Sequence, residues 1–323
     1  MQKRPPQFSI FTGMLLWAAF ATGQCPHFAG VQDMNIWYNP ALKVNKIPLA
    51  HVSVRSVNYR NIISYTSKIL TIELPLVSNE ADDFDNIPFM NLAAGISTDN
   101  SGNGFMMAST AMMALSYAMP LNDDNTYFAM GIQGNYSFNR VGNGSSSYFP
   151  DKFDKNGALN WAMTMDPNLT GLNFGYMTAG VGATLFHTGE EKQWYVGASI
   201  RHFNHPYTEW SRATRLPSTN GIQVGYLANI SPLTDICGYG NASWQSGSSE
   251  QFLGVRFIRH LDDSTSNTFS FGIGYRAYDA LVPEACFQIG NNRLALYYEM
   301  NVASSPEGDY LRRAFELSYR YSL

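Results

Sequence analysis

Charge is scarce in this chain: only 14% of its 323 residues are Asp, Glu, Lys or Arg, and the formal net charge is -4. That excludes a chain held open by self-repulsion. The scattered Lys and Arg form no basic stripe with interleaved aromatics, which excludes nucleic acid as a partner. Cysteine is nearly absent, with Cys25, Cys237 and Cys286 alone, so no disulfide framework holds the fold. Cys237 and Cys286 fall on candidate strands three apart, roughly 14 Å at about 4.8 Å per strand, beyond the reach of a disulfide. Helical stretches of Ala, Glu, Lys and Leu are few, and no motif recurs at a fixed period, which argues against a propeller or solenoid.

What the chain has instead is aromatics, at 14%, and 27 glycines, a β-rich composition. Lys3 and Arg4 precede an apolar run from Phe8 to Phe20 and then Ala21, Thr22 and Gly23, the pattern of a signal peptide over residues 1–23. The run falls short of the roughly 18 residues that a spanning helix needs. Gln24 stands where a lipidated Cys25 would want a small neighbour. Export is therefore the expectation for the mature chain.

Residues 24–48, with Trp37-Tyr38-Asn39-Pro40, show little alternation and read as a lead-in to the first strand or as a plug entering the lumen from the periplasmic side. From 49 to 323 nearly everything is strand and turn. Candidate strands lie near 49–58, 66–76, 88–98, 106–119, 125–139, 174–187, 192–203, 220–231, 234–246, 250–260, 267–278, 281–290, 293–302 and 311–323. Most match or exceed the roughly 9 to 11 residues that cross a bilayer when tilted. Their links alternate between tight polar turns (121–125, 188–192, 231–235, 290–292) and longer ones (140–173, 204–220, 303–310), as in outer-membrane barrels.

Alternation within the strands has two unlike faces. In Thr268 to Tyr278, Phe269, Phe271, Ile273 and Tyr275 oppose Ser270, Gly272, Gly274 and Arg276; in the last strand, Phe315, Leu317, Tyr319 and Tyr321 oppose Glu316, Ser318 and Arg320. A soluble sandwich also alternates. The arginines decide: an Arg on a lipid face costs about 2–4 kcal/mol at the midplane, and Arg55, Arg201, Arg256, Arg276 and Arg320 all keep to the small or polar phase. Trp194, Tyr127, Tyr278 and Tyr321, near strand ends, are expected in an interfacial belt. The expected fold is all-β, a transmembrane antiparallel up-and-down barrel of about 14 strands in the outer membrane, its apolar face toward lipid. Arg55, Glu73, Arg201, Arg256, Arg276, Glu299, Glu316 and Arg320 then face the lumen, pairing with each other or holding a plug. Tyr148, Phe149, Phe153 and Trp161 in the longest loop, with Tyr207 and Trp210 in the next, are candidate surface contacts.

At this point "YNPAL", "HVSVRSVNYR", "FMNLAAGISTDNSGNGFMMASTAMMALSYAMPL", "WYVGASIRHFN", "FSFGIGYRAYDALVPEACFQIGNNRLALYYEMN" and "FELSYRY" resemble the PorP/SprF family of type IX secretion outer-membrane proteins. The resemblance runs from about Gln24 to Leu323. It implies a barrel in the outer membrane of Bacteroidota that serves type IX secretion and gliding motility. It also implies as partners an exported surface protein or adhesin, periplasmic components of the machine and outer-membrane lipid. It brings no catalytic residue and no cofactor. Family members often carry His-Glu entering the last strand, where this chain has Arg312-Arg313-Ala314-Phe315-Glu316.

Other chemistry is weaker. His202 and His205 are spaced for a metal on a helix, but Pro206 and the strand before them argue against a helix. The acidic run Glu80, Asp82, Asp83 and Asp85 lacks the glycine and spacing of a calcium loop. His51 and Ser53 share a face, yet no third member of a hydrolytic triad can be assigned. The expectation is a non-enzyme, and the rival reading is a transport barrel for a hydrophobic or small solute.

Overall fold

Period-two alternation becomes a wall with one wet and one greasy side once its strands pair in register. The computed structural model describes residues 28–59, 63–77, 86–101, 106–121, 125–141, 173–189, 191–208, 214–261, 267–302 and 312–323. It has fourteen strands: β1 Leu49–Tyr59, β2 Ile63–Leu76, β3 Phe89–Ser101, β4 Met106–Pro120, β5 Thr126–Val141, β6 Phe174–Thr188, β7 Lys192–Arg201, β8 Thr219–Ser231, β9 Thr234–Gln245, β10 Ser248–His260, β11 Thr268–Arg276, β12 Ala280–Ile289, β13 Asn292–Asn301 and β14 Arg312–Ser322. Each pairs antiparallel with its sequence neighbours, and β1 pairs with β14 to close the ring. Every strand expected from alternation is present, within three residues of the expected bounds.

The seam shows how register sorts the faces. Val52 pairs with Tyr319 and Val54 with Leu317 on the outside, while Ser53 pairs with Ser318 and Arg55 with Glu316 on the inside. Val52 is 42% exposed and its neighbour Ser53 1%. The same division runs round the ring, and a slip of one residue would turn Arg55 and Glu316 into hydrocarbon. Closure satisfies the backbone groups that an open sheet would leave bare in lipid.

The termini of β1 and β14 share one rim with the short links after β4, β6, β8 and β12, which is the periplasmic rim of an outer-membrane barrel. On the opposite rim β9 and β10 join through Ser246 and Gly247, both at positive φ (46° and 86°), as a two-residue hairpin turn requires.

One expectation about the belt is corrected. Trp194, Tyr278 and Tyr321 face outward or lie at a rim, but Tyr127 is 1% exposed and points inward, stacked on Phe186 with ring centroids 5.0 Å apart. It keeps the inward phase of Ala129 and Gln133, with Met130 and Ile132 on the lipid side, so register overrides the preference of an aromatic for the interface. Cys237 and Cys286 are free and buried.

Candidate functional site: the filled lumen

Phe28, Ala29, Val31, Met34, Ile36, Trp37, Tyr38, Ala41 and Leu42 are all buried, although none belongs to the barrel wall. Their neighbours explain why. The segment bonds inward-facing residues on β2, β6, β8, β9, β10, β13 and β14, strands from all sides of the ring, which is possible only from within. Residues 28–43 thus lie inside the barrel, and 44–48 lead out to β1 at the periplasmic rim. A single 3₁₀ turn, Val31–Met34, runs into one helical turn, α1, Asn35–Tyr38. Pro40 cannot continue a helix, and Asn39 Oδ1 closes the bend by accepting Ala41 N at 2.9 Å.

One side of the contact is ionic. Asp33 accepts from Arg293 at 2.6 Å, from Ser318 at 3.1 Å and from Tyr297 at 3.2 Å, with Arg320 3.9 Å away. Burial alone would raise the Asp33 carboxyl; the charge of Arg293, and then of Arg320 and Arg256, outweighs it and holds the group well below the usual carboxylate range. Glu316 accepts two backbone N–H groups of the segment, Ala29 at 2.5 Å and Gly30 at 3.2 Å, and the Ser53 hydroxyl at 3.0 Å. Arg256 grips Glu284 through two nitrogens at 2.8 and 2.9 Å and gives its third to Gln32 at 2.8 Å. Gln32 in turn donates to Cys237 Sγ at 3.1 Å. Toward the extracellular rim, Arg55, Arg276 and Arg312 converge on Glu299 at 2.9, 3.1 and 3.1 Å, and Arg276 also donates to the Phe28 carbonyl at 3.3 Å.

The other side is neutral and shaped. The Trp37 indole donates to Thr71 at 2.8 Å and lies against Gly95, where a Cβ would sit 2.6 Å from the ring. Asn39 Nδ2 faces Thr184 at 3.2 Å and Gln223 at 3.1 Å, over Gly182, where a Cβ would come within 1.9 Å of the amide oxygen. Any side chain at residue 182 therefore excludes Asn39. Ser199 donates to the Tyr38 carbonyl at 2.8 Å, and the Arg201 guanidinium lies 5.7 Å from the Tyr38 ring centroid. Nearer the periplasmic rim, Lys43 meets Glu73 at 3.4 Å, and Lys46 stands 5.5 Å from the Tyr127 ring centroid.

Arg55, Glu73, Arg201, Arg256, Arg276, Glu299, Glu316 and Arg320 thus all take the inward phase of their strands, and each but Arg55 meets the inner segment or a partner that does; Arg55 reaches it through Glu299 and Arg276. Of the loop aromatics, Tyr148, Phe149, Phe153, Trp161 and Trp210 lie outside the described residues, as does the acidic run 80–85; Tyr207 packs under Arg215, 4.5 Å from ring centroid to guanidinium. His51 Nε2 bonds Ser318 at 3.0 Å and Ser53 bonds Glu316, so the two do not pair with each other. His202 and His205 both take positive φ in a bend, and no cluster of three metal-ligating side chains occurs among the described residues. Sequence reasoning passed over Asp33, Arg293, Glu284 and Arg312. Arg293 was within reach, three alternate steps before Glu299 on β13; Asp33 sits in a stretch with no period to follow.

A family model described as "Type IX secretion system membrane protein PorP/SprF" matches residues 49–321. The chain belongs to the PorP/SprF family. Among solved structures, a monoaromatic hydrocarbon channel, CymD, shares 9% identity with a TM-score of 0.52, covering 90% of this chain and 93% of its own. The Pseudomonas putida toluene transporter TodX shares 8% with a TM-score of 0.50, covering 92% and 94%. At such identity the likeness is one of fold. A search of curated proteins gives no match. The family and the closed barrel with its apolar outer face place this PorP/SprF protein in the outer membrane, in association with type IX secretion.

Proposed function

We propose that this PorP/SprF protein is a plugged, non-enzymatic accessory barrel of the type IX machine, which assists export and surface anchoring of large secreted proteins or adhesins, including those of gliding. The observation that carries the reading is the filled lumen. Residues 28–42 occupy its interior through buried ionic and amide contacts, so the barrel works through its rims and outer wall and not by conducting solute. The long extracellular links, which contain Tyr148, Phe149, Phe153, Trp161, Tyr207 and Trp210, meet the exported polypeptide. The periplasmic rim meets the periplasmic components.

In planar bilayers the whole protein gives no ion-conducting steps, and a variant lacking residues 28–48 gives discrete ones. A strain without the gene loses a surface protein from its secreted fraction while small-solute uptake is unchanged. The rival, a channel for a hydrophobic or small solute, draws on the fold shared with CymD and TodX. Steady conductance of the intact protein, or lost uptake with normal secretion, would establish it instead.

A further inference from the structure

The inner segment has a direction. Lys46 stands over the rings of Phe89 and Tyr127, at the periplasmic starts of β3 and β5. Earlier in the chain, Asp33 bonds Arg293, near the periplasmic end of β13, and Ser318 on β14. Earlier still, Ala29 and Gly30 donate to Glu316, four residues from the extracellular end of β14. The Phe28 carbonyl then accepts from Arg276, the last residue of β11. That guanidinium stands within 3.2 Å of Glu250, 3.5 Å of Asp279 and 3.1 Å of Glu299, and Asp279 lies in the extracellular link between β11 and β12. From Lys46 back to Phe28 the chain therefore climbs from the periplasmic rim to the extracellular end of the lumen.

What precedes Phe28 has to leave the lumen, and its length limits the exit. With a leader over residues 1–23 removed, residues 24–27 remain ahead of Phe28, a stretch of at most about 14 Å. That covers the remaining rise along β14 from Glu316 to Arg312, about 13 Å at about 3.3 Å per residue. The way back is longer: β11 alone, from Arg276 to Thr268, runs about 26 Å along its strand. It is also occupied, because residues 29–43 already lie there and meet the wall closely; a Cβ on Gly30 would stand 3.0 Å from the Glu316 carboxylate and 3.1 Å from the Tyr297 ring. We propose that the mature chain threads its own barrel, so that its amino end, at Gln24, is presented outside the cell in the extracellular mouth. Hydrolysis of the Gly23–Gln24 peptide bond leaves the carboxylate on the departing leader and the free amine on Gln24. The surface offered outside the cell then includes a chain terminus, whichever cargo the barrel serves, and the periplasm meets the segment where residues 44–48 lead out.

The test uses the full chain in its own outer membrane, with a short epitope inserted between Cys25 and Pro26. Antibody is expected to bind intact cells as strongly as cells whose outer membrane has been opened. The same epitope in the β12–β13 turn, at Asn291, is expected to be reached only after opening, and the purified wild type is expected to have the intact mass of residues 24–323. Binding at the Cys25 insertion only after opening overturns the proposal, as does a mature chain that keeps residues 1–23. If the insertion abolishes heat-modifiable migration, the native Cys25 thiol decides, since Cys237 and Cys286 are buried. One membrane-impermeant maleimide per chain on intact cells, lost in Cys25→Ser, is then expected; modification only after opening, or none, overturns the proposal.

Discussion

Strands β10 to β14, with β1, turn Arg55, Arg256, Arg276, Glu284, Glu299 and Glu316 into the lumen, whereas β4, β5 and β6 send no Asp, Glu, Lys or Arg inward among the described residues. The inner segment is held by partner chemistry on the first side and by shape on the second. The difference has a physical origin. A buried ion is tolerated only where its partner and hydrogen bonds are complete, so the charged side fixes the segment in one position and direction. Asp33 and the Ala29 and Gly30 N–H groups complete sets that the wall leaves open. The neutral side needs only room, which Gly95 and Gly182 supply.

Breaking the charged side has the larger effect. Asp33→Ala leaves Arg293 buried without its carboxylate, a loss of about 3–5 kcal/mol. The expected readout is a large rise in the rate at which a maleimide reaches Cys237, which Gln32 covers in the native protein; an unchanged rate would show that the ionic contacts do not anchor the segment. On the neutral side, Gly182→Leu drives Asn39 from its place at a cost of about 1–3 kcal/mol. Labelling of Cys237 then rises less than for Asp33→Ala, because the anchoring pairs are untouched. An equal rise would make the two sides equivalent. Smallest is Thr71→Val, which strands the Trp37 indole N–H and lowers stability by about 1–3 kcal/mol, nearer the lower figure where water reaches the group. A shift in the unfolding midpoint, with Cys237 labelling near that of wild type, is the expected pattern.

The wall was legible because lipid imposes a period. Phe315, Leu317, Tyr319 and Tyr321 can face hydrocarbon only if Glu316, Ser318 and Arg320 face away, so one strand settles its own orientation and its neighbours follow by pairing. The lumen charges were read by the same rule. That residues 24–48 enter the lumen stood as one of two readings, and which of their side chains the charges hold was not legible. Asp33, Gln32 and Asn39 lie in a segment with a single 3₁₀ turn and a single helical turn, too short for any periodicity to accumulate. Their roles depend on remote residues, as with Asp33 and Ser318, 285 positions apart. Tyr127 was misplaced for a related reason: an aromatic near a strand end carries the composition of a belt, and only the register of β5 with β6 turns it inward.

The ring has one joint between segments remote in sequence, β1 against β14, and the inner segment touches both sides of it through Glu316, Ser318 and the strand that it leads into. A ligand that binds only the shut ring makes the sprung ring rarer by a factor of one plus the ratio of its concentration to its dissociation constant. Here that ligand is tethered to the first strand and never diffuses away, so the protein carries its own clasp and the joint tightens without any added molecule.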